Sequence, residues 1–172
     1  GRESIETAVR LDPLAGSTQT VLAKALSYFP DDERMLTVAR QAEAFNARLV
    51  PKFLALHYFR EGDLQAFAQE LGRYNEMLGI DAEATVLLTR AATDEIDRNS
   101  LAARLEPYSI RRNNFFALEL AMLGQNDRSL DALLRWPSQE GSFIDDMWLP
   151  EFREVRTLPR FRELIRRMGL YD

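Results

Sequence analysis

The sequence contains no cysteine and only one histidine, His57, among its 172 residues. The absence of cysteine excludes disulfides, thiolate zinc sites and a cysteine nucleophile. A single histidine excludes metal sites and catalytic triads that need several histidines. Because the sequence offers His57 no evident partner, we interpret it as a packed or half-exposed helix residue. We predict no catalytic residue, no metal site and no cofactor.

Long apolar runs and glycine-rich loops are also missing from the sequence. No apolar run approaches the roughly 18 residues that a membrane-spanning helix needs. The glycines stand singly, so no phosphate-binding loop is present. With 22 basic and 27 acidic residues the net charge is −5, which disfavours a chain built to coat nucleic acid or an anionic membrane. We expect no direct nucleic-acid contact and no membrane segment in this chain.

Strand-forming residues are scarce, with 6 valines and 6 isoleucines against 25 leucines and 20 alanines. This composition favours helices over sheets. Apolar residues recur at helical spacing, and prolines and glycines fall between these segments. The pattern predicts an all-α fold with helices near 3–11, 17–29, 31–48, 51–61, 63–78, 82–94, 98–106, 111–123, 127–136 and 159–168.

Short turns between these helices predict antiparallel helix hairpins, and a repeated pattern would stack such hairpins into a superhelix. A large residue followed by alanine occurs at Leu22 and again at Leu54, 32 residues later. It occurs a third time at Phe116, 62 residues further on, which leaves space for a degenerate copy near 85–106. Each pair precedes a large residue and then a turn residue at fixed spacing: Leu26 and Pro30, Tyr58 and Gly62, Leu120 and Gly124.

This pattern resembles the tetratricopeptide repeat family, in which helix pairs of about 34 residues repeat along the chain. Gly62-Asp63 is similar to the turn of such a repeat, and the stretch 8–13 (AVRLDP) resembles the end of a second helix. The second helices depart from the family at Phe67 and Ser129, where a small residue is usual. The resemblance implies a right-handed superhelix of antiparallel hairpins over 1–147. It also implies a truncated first repeat, and therefore a fragment of a longer protein.

The last segment, 148–172, has a different pattern, W-x-P-x-F-x-x-V-R-x-x-P-R-F. We interpret it as a capping strap and helix that covers the last hairpin within a single compact domain. Thr157 and Pro159 are predicted to start its helix and Gly169 to end it.

The motif resembles the C-terminal end of bacterial proteins that join a winged-helix or adenylate-cyclase-type signalling domain to a tetratricopeptide region. That resemblance implies a non-enzymatic regulatory module in a bacterial cytoplasm. The segment holds six arginines and three glutamates, which favours a solvated helix with local ion pairs: Arg153, Arg156, Arg160, Arg162, Arg166 and Arg167 against Glu151, Glu154 and Glu163.

The family resemblance also implies where a partner would bind, because relatives hold their partners in the concave groove formed by the first helices. Carried onto this sequence, the groove positions are Lys52, Leu56, Phe59 and Arg60 in one copy, and Arg111, Asn114, Leu118 and Ala121 in another. Their mixture of cations, amides and apolar groups suits an extended peptide or an acidic protein tail better than a duplex. We predict a protein or peptide partner.

Two other functions stay open on the sequence. The helices could enclose a small-molecule pocket in which an arginine holds an anionic group; its lining would be Phe53, Tyr58, Phe59, Phe115 and Phe116. A helical hydrolase or transferase would need ionisable groups converging in one cleft, and the sequence reveals no such set.

Acidic clusters occur at 31–33, 94–95 and 145–146, and two of them have a specific interpretation. Asp145 and Asp146 with Glu140 could hold a divalent cation, but calcium-loop spacing is absent. The run 31–33 follows Pro30 and is interpreted as the acidic start of a helix.

Overall fold

The computed structural model describes residues 2–12, 15–29, 33–45, 49–79, 82–93, 100, 103–104, 109–135 and 146–170. The described residues form helices and turns and contain no strand, so the predicted all-α class is confirmed. They belong to two compact units, Gly1–Thr85 and Val86–Asp172. Within the described ranges, no helix combines the length and the apolar character needed to cross a bilayer.

The described residues of the first unit form five helices and the start of a sixth. They are α1 (Arg2–Leu11), α2 (Gly16–Ser27), α3 (Arg34–Glu43), α4 (Val50–Glu61), α5 (Leu64–Met77) and α6 (Ala82–Ala92), which crosses the division between the units. The helix predicted over 31–48 is described only as the shorter α3, and most of the helix predicted over 98–106 lies outside the described residues.

The hairpin of α4 and α5 shows how local sequence sets the helix ends. Pro51 lies in the first turn of α4, where its missing N–H costs no hydrogen bond. Gly62 follows α4 with a φ of 76°, a left-handed conformation that glycine adopts without strain. Asp63 then begins α5, because its carboxylate accepts a hydrogen bond of 3.0 Å from the backbone N–H of Ala66. The Gly-Asp turn predicted from the sequence is confirmed.

The core of the first unit lies among α2, α3 and α4. Its small members, Ala23, Ala39 and Ala42, allow the helices to approach closely. The helices pack in chain order, α1 on α2, α2 on α3, α3 on α4 and α4 on α5, and α2 also packs on α4. The buried cluster consists of Leu22, Ala23, Leu26, Met35, Ala39, Ala42, Val50, Phe53 and Leu54, with Ile5, Val9, Leu36, Val38 and Tyr58 packed at its margin.

The second unit begins with the end of α6 and continues with α7 (Ser109–Met122) and α8 (Asn126–Arg135), which form a hairpin. Two 3₁₀ turns follow, Asp146–Trp148 and Pro150–Phe152, and then two short helices, α9 (Arg153–Thr157) and α10 (Phe161–Arg167). The second 3₁₀ turn packs on α7, while α9 and α10 pack on α8. The last segment therefore lies against the α7–α8 hairpin; its role as a cap stays a prediction.

The start of the final helix differs from the sequence prediction. Thr157 does not begin it but ends α9, where its hydroxyl donates a hydrogen bond of 2.6 Å to the Glu154 carbonyl. Leu158 is extended, with a ψ of 135°, and α10 starts only at Phe161. The physical reason is Pro159, because the residue before a proline is driven out of the helical region. Gly169 follows α10, as predicted.

Candidate functional site

The first set of predicted partner-binding residues lies on α4, and only part of it is accessible. Lys52 is 7% exposed and Leu56 is 1% exposed, whereas Phe59 and Arg60 are half-buried. The outward orientation expected for Lys52 and Leu56 therefore differs from the structure. The physical reason is that α4 has three helical neighbours in its own unit, α2, α3 and α5, so little of its circumference remains open.

Arg60 joins the ends of α2 and α4. Its Nη1 donates a hydrogen bond of 2.8 Å to the backbone carbonyl of Ser27, the last residue of α2. Carbonyls in the last turn of a helix lack intrahelical partners and carry the negative end of the helix dipole. A guanidinium suits this position because it can donate a hydrogen bond to such a carbonyl and its positive charge is attracted to the negative end of the dipole. The last turns of α2 and α4 therefore meet at this contact.

Two phenylalanines lie beside this contact. The ring of Phe59 packs on Phe67 of α5, with 5.4 Å between the ring centroids, which fixes its orientation. Phe29 follows the end of α2 and is 48% exposed. We call the region of Phe29, Phe59 and Arg60, beside the buried Ser27, the α2–α4 edge. Of the groove residues predicted in the first unit, Phe59 and Arg60 are the accessible ones; Phe29 was not predicted.

A second cluster, of four charged residues, was not found from the sequence. Arg40 and Glu43 of α3 and Glu70 and Arg73 of α5 form alternating ion pairs. The distances are 2.7 Å for Arg40–Glu43, 3.2 Å for Arg40–Glu70, 2.6 Å for Arg73–Glu43 and 2.7 Å for Arg73–Glu70. Arg40 also donates a hydrogen bond of 3.0 Å to the hydroxyl of Tyr58. The sequence did contain one signal for this cluster, namely the i,i+3 spacing of Arg40 and Glu43 on α3 and of Glu70 and Arg73 on α5.

The electrostatics of this cluster indicate a structural role. Burial raises the pKa of the Glu43 carboxyl, but hydrogen bonds from Arg40 and Arg73 outweigh it, so the net pKa is lowered. The hydrogen bond to Glu43 in turn raises the pKa of Arg40. Both groups are thus held in their charged forms, and neither is poised to transfer a proton near neutral pH.

His57 lies half-buried on α4, in agreement with its interpretation from the sequence. Its ring meets the ring of Tyr58 edge-on, with 5.3 Å between centroids and an interplanar angle of 64°. Burial lowers the pKa of His57, Glu61 opposes this shift, and Arg60 adds to it. The imidazole is therefore biased towards its neutral form.

The second predicted set of partner-binding residues lies on α7. Arg111 and Asn114 fall within this helix, but their side chains lie outside the described residues. Leu118 is 1% exposed and Ala121 is also buried, so neither is directed outward as expected. Within its own unit α7 is packed against α8 and against the turn Pro150–Phe152, which accounts for buried positions on more than one face.

The aromatic residues of the small-molecule alternative have different environments. Phe53 and Phe116 are buried core residues. The hydroxyl of Tyr58 is bound by Arg40, and Phe59 packs on α5. The fifth aromatic residue, Phe115, has a side chain outside the described residues. Tyr58 and Phe59 thus contact side chains of the neighbouring helices α3 and α5.

The acidic clusters weighed from the sequence are described only in part. Glu140 and Asp145 lie outside the described residues, and Asp146 is buried in the first 3₁₀ turn. Of the run 31–33 only Glu33 is described, as an exposed residue before α3. Across the described ranges, no group of three or more His, Asp and Glu side chains could hold a metal ion.

Arg156 is the centre of a polar contact in the second unit. Its Nη1 donates hydrogen bonds of 2.7 Å to the Met147 carbonyl and 3.0 Å to the Leu149 carbonyl. The guanidinium carbon lies 5.7 Å from the ring centroid of Trp148. Burial is the main cause that lowers the pKa of Arg156, and the nearby charge of Arg153 lowers it further.

Two other arginines of the last segment form ion pairs. Arg167 pairs with Glu163 one turn earlier on α10, which is a local pair of the kind that the sequence predicts. Arg160 pairs instead with Asp131 of α8 at 2.8 Å, a contact that was not predicted. The Arg160–Asp131 pair ties the last segment to the α7–α8 hairpin. Both pairs are partly exposed, so each contributes at most about 1 kcal/mol.

Comparisons with known proteins give no assignment: no family model, curated protein or solved structure matches this chain.

Proposed function

We propose that this chain is a non-catalytic protein-interaction module of a bacterial signalling or transcription regulator. In this proposal its scaffold is a tetratricopeptide-like array of hairpins, and it acts in the cytoplasm. It binds an extended segment of a partner protein across the first helices of the hairpins, at the α2–α4 edge. The observation that carries the proposal is the packing order of α1 to α5.

That packing order favours stacked hairpins over a closed bundle. The first helix of the second hairpin, α4, packs on its own mate α5 and on both helices of the preceding hairpin, α2 and α3. In the same way α2 packs on its mate α3 and on α1. Each hairpin thus rests on the one before it, as in repeat proteins whose successive units bury a continuous core.

The chemistry of the α2–α4 edge supports a peptide partner. Phe29 supplies exposed aromatic area, and Phe59 is held in one orientation by Phe67. Arg60 adds a cation that is already positioned by its bond to Ser27. Anchors that are ordered before binding lose less conformational entropy when a partner arrives. An extended segment with apolar and acidic side chains fits this combination.

The regulatory role rests on the resemblance of residues 148–161 to the ends of bacterial regulators. The same resemblance supports a cytoplasmic location. The regulatory role and the cytoplasmic location do not depend on the geometry of the α2–α4 edge. A failure of peptide binding at that edge would therefore leave both assignments untouched.

Peptide selection followed by matched variants tests the binding function. A displayed library of random 12-residue peptides is selected on the whole chain, and the affinity of each selected peptide is measured by fluorescence anisotropy. We expect Phe29→Ala to weaken binding by about tenfold or more, as for an aromatic anchor. The control is Val21→Ala, which trims another exposed apolar residue of α2 and should leave the affinity unchanged.

Thermal unfolding, monitored by circular dichroism, verifies that both variants remain folded. Recovery of peptides that bind both variants as tightly as the wild type, or recovery of none, would overturn the assignment of the edge.

A further inference from the structure

Trp148 is an exposed tryptophan set between buried residues. Its side chain is 54% exposed, whereas the adjacent Met147 and Leu149 are almost completely buried. A tryptophan contributes to folding by removing its large apolar surface from water. Here about half of that surface stays in water, so packing within the second unit explains only part of this residue.

The indole is nevertheless held in place. The two carbonyls that accept hydrogen bonds from Arg156 belong to Met147 and Leu149, the residues on either side of Trp148. The same guanidinium lies over the indole ring. The backbone on both sides of Trp148 is therefore fixed, and a cation–π contact restrains the ring itself. An aromatic group ordered in this way loses little entropy on binding and is typical of interface anchors.

The charges around Arg156 indicate what kind of partner fits. Arg153 is exposed, and its guanidinium forms no hydrogen bond or ion pair with the residues that the structure describes. It lies one helical turn before Arg156, close enough to lower that residue's pKa. The two guanidinium groups repel each other, and Glu151 offsets part of this effect at Arg156. A partner carboxylate beside Arg153 would relieve the repulsion further.

We propose that Trp148 and Arg153 form a docking site for an acidic segment of a partner protein. An apolar side chain of that segment packs on the exposed part of the indole, and a carboxylate pairs with Arg153. The site lies in the second unit and goes beyond the proposed function, because it uses no residue of the α2–α4 edge. A second copy of the chain and a nucleic acid are alternative occupants that the experiment distinguishes.

Intrinsic fluorescence gives a direct readout of this site. The chain has two tryptophans, so Trp136→Phe leaves Trp148 as the only tryptophan, which is excited selectively at the red edge of the absorption band. The probe is a 12-residue peptide in which glutamate alternates with leucine, and the matched control peptide has lysine in place of every glutamate. We expect the acidic peptide to shift the Trp148 emission to shorter wavelength in a saturable way, and the basic peptide to leave it unchanged.

Variants then test separately the apolar contact with Trp148 and the ion pair with Arg153. In anisotropy titrations with the labelled acidic peptide, Trp148→Ala and Arg153→Glu should each weaken binding by about tenfold. Arg10→Glu makes the same charge change on α1 and should alter the affinity by less than about twofold, since a remote surface charge is screened by salt. Phe29→Ala, which removes an anchor of the α2–α4 edge, should leave the emission shift intact.

Three outcomes would overturn the proposal. One is an emission maximum that stays constant up to millimolar acidic peptide. Another is an Arg153→Glu variant that binds as tightly as the wild type while circular dichroism shows it to be folded. The third is an emission shift that follows protein concentration or added single-stranded DNA instead of the peptide, which would identify a second copy or a nucleic acid as the occupant.

Discussion

The hydroxyl of Ser129 on α8 donates a buried hydrogen bond of 2.7 Å to the backbone carbonyl of Ala117 on α7. Both residues are completely or almost completely buried, so the bond lies where the two helices of the hairpin cross. In the repeat pattern Ser129 stands where a small residue is usual. The structure shows that serine is small enough for this close approach and that the neighbouring helix satisfies its hydroxyl.

Two substitutions at Ser129 should therefore differ in severity. Ser129→Ala loses one buried hydrogen bond and should lower the free energy of unfolding by about 1 kcal/mol. Ser129→Leu forces a large side chain into the crossing and should cost about 2 kcal/mol or more. Urea denaturation measures both, with Ser17→Ala, at an exposed position of α2, as the control. Equal stability of the two Ser129 variants would contradict the close crossing.

The charged cluster between α3 and α5 predicts a sensitive position at Glu70. Its side chain is almost fully buried and is bound by Arg40 and Arg73. Glu70→Gln leaves these two cations with Glu43 as their remaining carboxylate. It should therefore destabilise the fold by about 1–3 kcal/mol, less than a fully buried pair because both arginines are partly exposed.

Glu163→Gln in the exposed pair with Arg167 is the matched control for Glu70→Gln. It should change the unfolding free energy by less than about 1 kcal/mol. Urea denaturation at low and high salt compares the two variants. Similar small effects from both would show that burial of Glu70 does not strengthen its ion pairs.

Two helical glycines should respond to alanine with opposite signs. At Gly16, at the start of α2, an added Cβ would overlap the Cβ of Phe45, an atom attached directly to the backbone. Gly16→Ala should therefore destabilise the protein by about 1–3 kcal/mol. At Gly72, inside α5, the nearest atom would be a methyl of Thr85 at 3.9 Å. Gly72→Ala should stabilise by up to about 1 kcal/mol, because alanine favours the helix.

Thermal melting of both glycine variants tests this pair of predictions, each variant serving as the control for the other. A stabilising Gly16→Ala would mean that α2 and the end of α3 are not in close contact.

The single histidine predicts a pH dependence of stability. Because burial lowers the pKa of His57 in the folded state, the unfolded chain takes up a proton first as the pH falls through about 6.5. The contribution of His57 is thus present above that pH and is lost as the pH falls towards the folded-state pKa. Between pH 7.5 and 5, the wild type should lose more stability than His57→Gln. A proton NMR titration of His57 provides the check, and a pKa at or above 6.5 would contradict it.

The sequence predicted those parts of the fold that depend on neighbouring residues. Leucine and alanine at helical spacing predicted the all-α class, and Gly62 and Asp63 predicted the turn between α4 and α5. The start of the final helix was misplaced at Thr157, because Pro159 drives Leu158 out of the helical region and separates Thr157 from the helix that begins at Phe161. Local signals define turns well when glycine or proline fixes the backbone.

The candidate site was harder to predict, because exposure depends on how many neighbours a helix has. Apolar periodicity identifies one buried stripe, but α4 packs against three helices and buries Lys52 and Leu56 as well. In the same way, the separation in sequence between Trp148 and Arg156 gave no signal of their contact. Arg156 reaches back across the 3₁₀ turns, and that geometry arises only once the segment has folded.

The ion pairs between α3 and α5 also bear on how the first unit unfolds. In a linear array each hairpin can open separately, but here the loss of either helix would break the two ion pairs that join α3 to α5 and leave the other helix with only its own i,i+3 pair. Opening one hairpin therefore weakens its neighbour, and the two should melt in a single cooperative step. Hydrogen exchange would then give α3 and α5 the same opening free energy, while α1, outside the cluster, would exchange faster.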